Sequence, residues 1–296
     1  MKYIGMNGGI VEAADAVIPV MDHGLLYGMG LFETFRTYQG KPFLLERHLN
    51  RLTDSCRELG IAHKADAERI SGWIAELMEA NGLQDAYIRY TVTAGEGLLG
   101  LPAGDYAKPA EVLFAKELPA ANAALYETGR AMRLLSLPRN TPESSVRMKS
   151  LHYMNNILAK RELARYPELA GGGPAEGLML TSAGDVAEGI VSNVFFVKKG
   201  RLYTPDVGTG ILPGITRAVV LELAADLGIE AEEGRYGWDV FTGADEIFTT
   251  GSVQEIVPVT TLIGVEGEAL TIGQGVAGPI TRTLLYAYRR KAGLDI

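Results

Sequence analysis

The sequence predicts an α+β (α/β) protein of two domains: a small N-terminal α/β domain over residues 1–118, a linker over 119–124, and a larger domain of mixed, barrel-like sheet over 125–296. Three observations support this. At 296 residues the chain exceeds the usual size of one folded domain. Strand-like and helix-like segments alternate along its length. Between two such blocks, Leu118-Pro119-Ala120-Ala121-Asn122-Ala123-Ala124 is small-residue and interrupted by proline, as a linker is.

In the N-terminal block, residues 1–6 read as a strand, turned by Asn7-Gly8-Gly9 into a second strand around Ile10. Residues 31–38 form another strand, closed at Gln39-Gly40. Leu45, Leu49, Leu52, Cys56 and Leu59 then mark one face of a helix that Gly60 ends, and a second helix over 67–80 stops at Asn81-Gly82. Residues 86–94 alternate. Tyr87, Arg89, Thr91 and Thr93 share one face, which puts a phenol beside a guanidinium; an edge strand with a solvated polar face has the same pattern.

Beyond the linker, strands are predicted near 131–136, 178–181, 190–198, 201–204 and 246–250. Helices are predicted over 151–166, 216–227 and 279–291, and Gly171-Gly172-Gly173 reads as a loop.

Composition narrows the function. Hydrophobic residues at 47% and charged residues at 22% are ordinary for a soluble globular enzyme. A net charge of -8 and a pI near 5.2 argue against a general binder of nucleic acid or anionic membrane. No apolar run approaches the ~18 residues a membrane span needs, and no signal-peptide core precedes Glu12 and Asp15, so a cytoplasmic protein is expected. The lone cysteine, Cys56, allows neither an intrachain disulfide nor a cysteine metal cluster. Gly28-Met29-Gly30 begins a dinucleotide-binding pattern, but Glu33 occupies its third glycine position. The chain has no G-x-S-x-G and no H-E-x-x-H, and its four histidines are scattered.

Three features remain, and together they match one cofactor. Lys149, in Arg147-Met148-Lys149-Ser150, offers an amine. Glu188, in Val186-Ala187-Glu188-Gly189, offers a carboxylate within a mostly apolar stretch. Pro213-Gly214-Ile215-Thr216-Arg217 opens a helix whose N-terminus suits a phosphate, and Thr249-Thr250-Gly251-Ser252 adds hydroxyls. Amine, carboxylate and phosphate cradle are what pyridoxal 5'-phosphate requires. Each has a plainer reading: a solvated lysine, a turn carboxylate, a helix cap. Arg51 lies beside the apolar stripe of its helix, where it can point inward as a phosphate clamp. His152 is the histidine near the candidate lysine.

The order of these features resembles that of fold-type IV pyridoxal phosphate enzymes, the class IV aminotransferase family. That family comprises branched-chain aminotransferases, D-amino-acid aminotransferases and 4-amino-4-deoxychorismate lyases. The resemblance runs through Asp22-His23-Gly24-Leu25-Leu26-Tyr27-Gly28-Met29-Gly30-Leu31-Phe32-Glu33-Thr34-Phe35-Arg36 and His48-Leu49-Asn50-Arg51-Leu52. It continues through Lys149-Ser150, Glu188 to Ser192-Asn193, Leu212-Pro213-Gly214-Ile215-Thr216-Arg217, and Thr250-Gly251-Ser252 with Glu255-Ile256. It implies that Lys149 is the Schiff-base lysine and Glu188 the partner of the pyridine nitrogen. It implies that Arg51, Ile215, Thr216 and Ser252 hold the phosphate and that Tyr153 contacts the phenolic oxygen. A homodimer is implied too.

Within the family, threonine follows Phe32-Glu33 here, where branched-chain members tend to carry glycine. The run from Arg139 to Tyr153 also looks like the lyase branch. The expected activity is therefore conversion of 4-amino-4-deoxychorismate to p-aminobenzoate and pyruvate. Lys149 and Thr34 would be catalytic, Arg89 and Arg36 would hold the two carboxylates, and Tyr27, Phe32 and Tyr87 would line the pocket. An aminotransferase acting on D-amino or branched-chain amino acids is the alternative.

Overall fold

The computed structural model describes residues 1–120, 122–166, 169 and 175–294. Gly171-Gly172-Gly173 and Ala121 of the predicted linker lie outside these. The chain forms two compact units, Met1–Ala120 with Met148–His152, and Ala121–Arg147 with Tyr153–Ile296.

The first unit begins with β1 (Tyr3–Met6), β2 (Gly9–Glu12), α1 (His23–Tyr27), β3 (Gly30–Tyr38) and β4 (Lys41–Pro42). It continues with α2 (Leu45–Glu58), α3 (Ala67–Ala80), β5 (Tyr87–Thr93) and β6 (Ala110–Lys116). Its sheet has six strands in the order β2-β1-β6-β5-β3-β4, and every pairing is antiparallel. In β3–β5, Phe32 faces Thr91, Thr34 faces Arg89 and Arg36 faces Tyr87. Strand alternation therefore sets these side chains on one face and sends Leu31, Glu33 and Phe35 to the other.

That other face packs on the helices. Leu49, Leu52 and Cys56 of α2, and Ile70, Trp73, Ile74 and Leu77 of α3, recur at helical spacing and close the core over Leu31, Phe35, Ile88 and Leu113. Cys56 is part of this core, and burial pushes its thiol up to about 12, so it stays protonated and inert. Asp66 caps α3 by accepting from Arg69 N at 2.7 Å. At the other end of α3, Asn81 accepts from Lys2 N and Tyr3 N and so fastens β1.

Residues 148–152, which lie beyond the predicted linker at 119–124, group with this first unit. Ser150 bridges Leu31 in antiparallel fashion, Phe32 N donates to Lys149 O at 2.9 Å, and Leu151 N donates to Gly30 O at 3.0 Å. Met148 packs on the first core. The same bonds correct the helix predicted over 151–166. Its first residues are held as an extended edge, so the helix starts only at Met154 and ends at Leu163.

The second unit contains α4 (Ala123–Thr128), β7 (Arg130–Leu134), α5 (Met154–Leu163), β8 (Ala175–Leu180), β9 (Val186–Gly189) and β10 (Asn193–Lys198). These are followed by β11 (Arg201–Pro205), α6 (Ile215–Asp226), β12 (Ala231–Gly234) and α7 (Trp238–Thr242). The last elements are β13 (Glu246–Gly251), β14 (Glu255–Ile263), β15 (Ala269–Thr271) and α8 (Pro279–Lys291). Its nine-stranded sheet runs β12-β11-β10-β13-β14-β7-β8-β9, with β15 on β14. The β11–β12, β14–β7 and β7–β8 pairs are parallel and the rest antiparallel, so the sheet is mixed. It curls: Val186 N, at the start of the last strand, donates to Tyr236 O just beyond β12. Met132, Leu178, Val194, Phe196, Ile247 and Val259 fill its core. The strand predicted over 190–198 begins only at Asn193, as β10, because the chain turns after β9, where Gly189 N donates to Ser192 O at 2.8 Å.

Candidate active site

In the first unit the open face of the sheet carries Phe32, Thr34 and Arg36 from β3 with Tyr87 and Arg89 from β5. Lys149 joins them, because its strand pairs it beside Phe32. The Phe32 ring lies under two cations, with the Arg89 guanidinium 3.6 Å and the Lys149 ammonium 4.7 Å from its centroid. Arg36 covers Tyr38 at 4.3 Å, and Lys116 covers Tyr87 at 4.6 Å. The face is thus aromatic in its floor and positive above it, which suits a flat, anionic ligand.

Tyr27 stands apart from this face. Its hydroxyl accepts from Gly100 N at 2.9 Å, and its ring meets His23 edge-on. The His23 ring in turn contacts the Tyr106 hydroxyl and the Leu98 carbonyl, each at 3.0 Å, so Tyr27 and His23 fix the loop from 96 to 101. His152 contacts the Tyr27 carbonyl through Nε2 at 3.1 Å, tying the lysine segment to the turn after α1. Gly28 lets this happen. It has φ of 70°, and a Cβ there would lie 2.5 Å from the His152 ring.

Arg51 is held by a residue that the sequence marked only as a missing glycine. Glu33 accepts from Arg51 Nε at 2.8 Å and Nη2 at 2.6 Å, and contacts His48 Nδ1 at 2.6 Å. Burial pushes the Glu33 carboxyl up, but the Arg51 guanidinium and His48 beside it more than reverse this, leaving it at about 2.

In the second unit, Glu188 sits in β9 rather than in a turn, and is buried. One carboxylate oxygen accepts from Arg139 Nε at 2.8 Å; the other accepts from Leu212 N at 3.0 Å and Asn193 Nδ2 at 3.3 Å. Arg139 Nη1 reaches Asn140 and Asn155, and Asn156 Nδ2 donates to Ile190 O. Arg147 donates to the carbonyls of Gly210 and Asn140, with its Nε 3.9 Å from Glu188. Burial and the nearby Arg139 push Arg147 down to about 10. Arg139 and Asn193 therefore position Glu188, and nothing local in the sequence announces either, since they meet the carboxylate only through the fold.

Asn193 faces Thr250 across β10–β13. Thr216 Oγ1 lies 3.3 Å from Ser252 Oγ, and the buried Thr250 Oγ1 has no hydrogen-bond partner among the described residues. Helix α6 starts at Ile215 after Gly214, with no side chain capping it, so its first-turn N–H groups have no partner within the helix. A Cβ at Gly214 would collide with the Asn193 side chain, which is why glycine precedes the helix. An uncapped helix start, paired hydroxyls and an orphaned buried hydroxyl fit a phosphate. With a carboxylate ringed by donors, these residues of the second unit fit the phosphate and the pyridine nitrogen of pyridoxal phosphate. Tyr153 is partly buried just ahead of α5, in the second unit.

The family model described as amino-transferase class IV matches residues 30–262. The chain belongs to this family. It is 40% identical over 290 residues to the aminodeoxychorismate lyase of Bacillus subtilis (strain 168), across 97% of this chain and 94% of that protein. It is also 40% identical over 299 residues to a putative branched-chain-amino-acid aminotransferase of Methanocaldococcus jannaschii, across 99% of this chain and 98% of that one. The structure of a 4-amino-4-deoxychorismate lyase from Pseudomonas aeruginosa matches with a TM-score of 0.82 at 30% identity, covering 97% of this chain and 98% of that chain. The fold is that of fold-type IV enzymes, as the sequence resemblance implied. Among the described residues no helix is long and apolar enough to cross a membrane.

Proposed function

We propose that this class IV enzyme is a pyridoxal-phosphate-dependent aminodeoxychorismate lyase, releasing p-aminobenzoate and pyruvate. The observation that carries this reading is the open sheet face of the first unit, where Lys149, Thr34, Arg36 and Arg89 share one side. The substrate is a cyclohexadiene ring bearing two carboxylates, and the reaction needs a base, a proton donor and two anchors for those carboxylates. The 40% identity to the Bacillus subtilis lyase supports it.

When bound, pyridoxal phosphate supplies a ring that accepts electrons from the carbon bearing the substrate amine. Lys149 is assigned to join the cofactor and, once displaced, to take the proton from that carbon. Glu188, held by Arg139, Asn193 and Leu212 N, is assigned to the pyridine nitrogen. Arg51, Ile215, Thr216 and Ser252 are assigned to the phosphate, and Tyr153 to the phenolic oxygen. Arg89 and Arg36 anchor the carboxylates over a floor of Phe32 and Tyr87, with Tyr27 at the margin. Loss of the enolpyruvyl group aromatises the ring, and Thr34 or Lys149 returns a proton to its methylene carbon to give pyruvate.

The protein is further read as a cytoplasmic homodimer. Apolar side chains in two linked loops of the first unit support an assembled surface: Val17, Val20, Leu98, Leu99 and Leu101 are all exposed, and Gly97 N donates to Met21 O between the loops. Sedimentation at a single monomer mass would overturn the dimer.

The Methanocaldococcus jannaschii relative favours the second reading, an aminotransferase. One assay separates them: 4-amino-4-deoxychorismate with purified enzyme and no keto acid. Equal amounts of p-aminobenzoate and pyruvate are expected. No product from enzyme that holds pyridoxal phosphate, together with amino transfer to a keto acid, would replace the lyase by the aminotransferase.

A further inference from the structure

The cluster of Glu33, His48 and Arg51 lies on the face of β3 opposite Thr34 and Phe32. Glu33 and His48 are each about 1% exposed, while the Arg51 side chain keeps 14% of its surface. Such a buried carboxylate is retained only if it is fully paired. Its three contacts achieve that: Nε and Nη2 of Arg51 form one fork, and His48 Nδ1 approaches the oxygen that Nη2 also meets.

The protonation states follow. The carboxyl stays ionised down to about pH 2, so it can only accept. Burial pushes the His48 imidazole below its usual 6.5, so at neutral pH it carries one proton. At 2.6 Å from an acceptor, that proton must sit on Nδ1. The Phe35 ring packs against the imidazole with centroids 5.0 Å apart and planes tilted by 39°, which restricts its rotation. Burial and the Phe35 ring hold His48 against the Glu33 carboxylate, and the carboxylate in turn sets the plane of Arg51. Because Glu33 takes the Nε–Nη2 edge, the Nη1 side of the fork points away from it.

We infer that Glu33, oriented by His48, is a positioning residue that aims the Arg51 guanidinium at the cofactor phosphate. This rests on the assignment of Arg51 to the phosphate made above. A planar fork held from behind loses less rotamer freedom when it binds an anion than a free arginine would. Glu33 would thus raise phosphate affinity without touching the phosphate.

The test compares the affinity of the apoenzyme for pyridoxal phosphate and for pyridoxal, which lacks the phosphate, by fluorescence titration. Glu33→Gln keeps the shape but replaces one acceptor oxygen by a donor. It is expected to weaken pyridoxal phosphate by about tenfold, the lower end of what losing an outer partner does at metal sites, and to leave pyridoxal unchanged. Glu33→Asp keeps the charge but falls short in reach, and should lie between wild type and Glu33→Gln; it also serves if Glu33→Gln does not fold. Equal weakening of both ligands would mean a general structural role and overturn the inference, as would wild-type affinity in both variants. Arg51→Met separates the underlying assignment. If it leaves the preference for the phosphorylated ligand intact, Arg51 does not hold the phosphate, and both statements fall. If it removes that preference while the Glu33 variants do not, only the positioning role falls.

Discussion

The two faces of the first unit's sheet are built from alternate residues of the same strands, yet they do different work. On the open face, cations lie over aromatic rings: Arg89 and Lys149 over Phe32, Arg36 over Tyr38, Lys116 over Tyr87. On the helix-covered face, charge is paired. Glu33 is locked by His48 and Arg51, and Glu111 accepts from Tyr90 at 2.6 Å and from both Arg69 Nη atoms. The contrast follows from solvent. A buried carboxylate must be neutralised by its neighbours, whereas the half-buried or exposed cations of the other face rest on aromatic rings. The cation-over-ring face and the paired-charge face are separated by a single residue of register.

The largest effect that would test this contrast is at Lys149. Lys149→Ala should lower p-aminobenzoate formation by at least about 10³-fold, the scale of a lost acid–base group, while thermal unfolding stays near wild type. A collapse in melting temperature would move Lys149 to the supporting side of the contrast. Next is Arg89→Met on the same face. Losing a hydrogen bond to a charged group costs about 1.5–3 kcal/mol, so kcat/KM should fall about 10- to 100-fold, mainly through KM. An unchanged KM would remove Arg89 from substrate binding.

On the helix-covered face the ranking should invert. Glu111→Gln breaks the link to Tyr90 and Arg69, and about 1–2 kcal/mol of stability should be lost with turnover at saturating substrate unaltered. Altered turnover in a folded variant would blur the division between faces. The smallest effect is in pH. Burial pushes both His48 and His63 below the usual 6.5. Below that pH the unfolded chain takes up protons that the folded chain refuses, so stability falls as pH drops, by at most about 1.4 kcal/mol per pH unit for each histidine. Glu33 acts lower down: its contribution is complete above the usual carboxylate value and is lost as pH falls towards about 2. Urea unfolding at pH 7.5, 6.5 and 5.5 should show the histidine slope, and His48→Asn should flatten it. A slope unchanged in that variant would place the titration elsewhere.

The parts of this architecture that the sequence discloses are those written in local period. The alternation over 86–94 already set Tyr87 and Arg89 side by side, and the 3.6-residue recurrence of Leu49, Leu52 and Cys56 marked the buried face of α2. What stayed hidden depends on distant chain. Glu33 lies in the apolar run Leu31-Phe32-Glu33-Thr34-Phe35, and its partners are 15 and 18 residues away on another element. Leu151 begins an apolar pattern that reads as helix, but its N–H belongs to Gly30 on a strand far upstream. Strand β14 is masked in sequence by Pro258, which is uncommon inside a sheet, although the fold pairs Pro258 opposite Phe248. Arg139 gave no local sign of its role, since its partner Glu188 is 49 positions on.

The placement of residues 148–152 has a consequence for anyone who divides the molecule. The chain leaves the second unit at Arg147, lays five residues along β3, and rejoins the second unit at Tyr153. A cut after Ala120 would therefore not yield two self-sufficient fragments. The N-terminal piece would lack the neighbour that accepts from Phe32 N, and the C-terminal piece would keep that neighbour, Lys149 included, as a loose tongue. Co-expressed, the two pieces carry their own recognition element, a donated strand, so the natural seam of the fold is also a built-in split-protein junction.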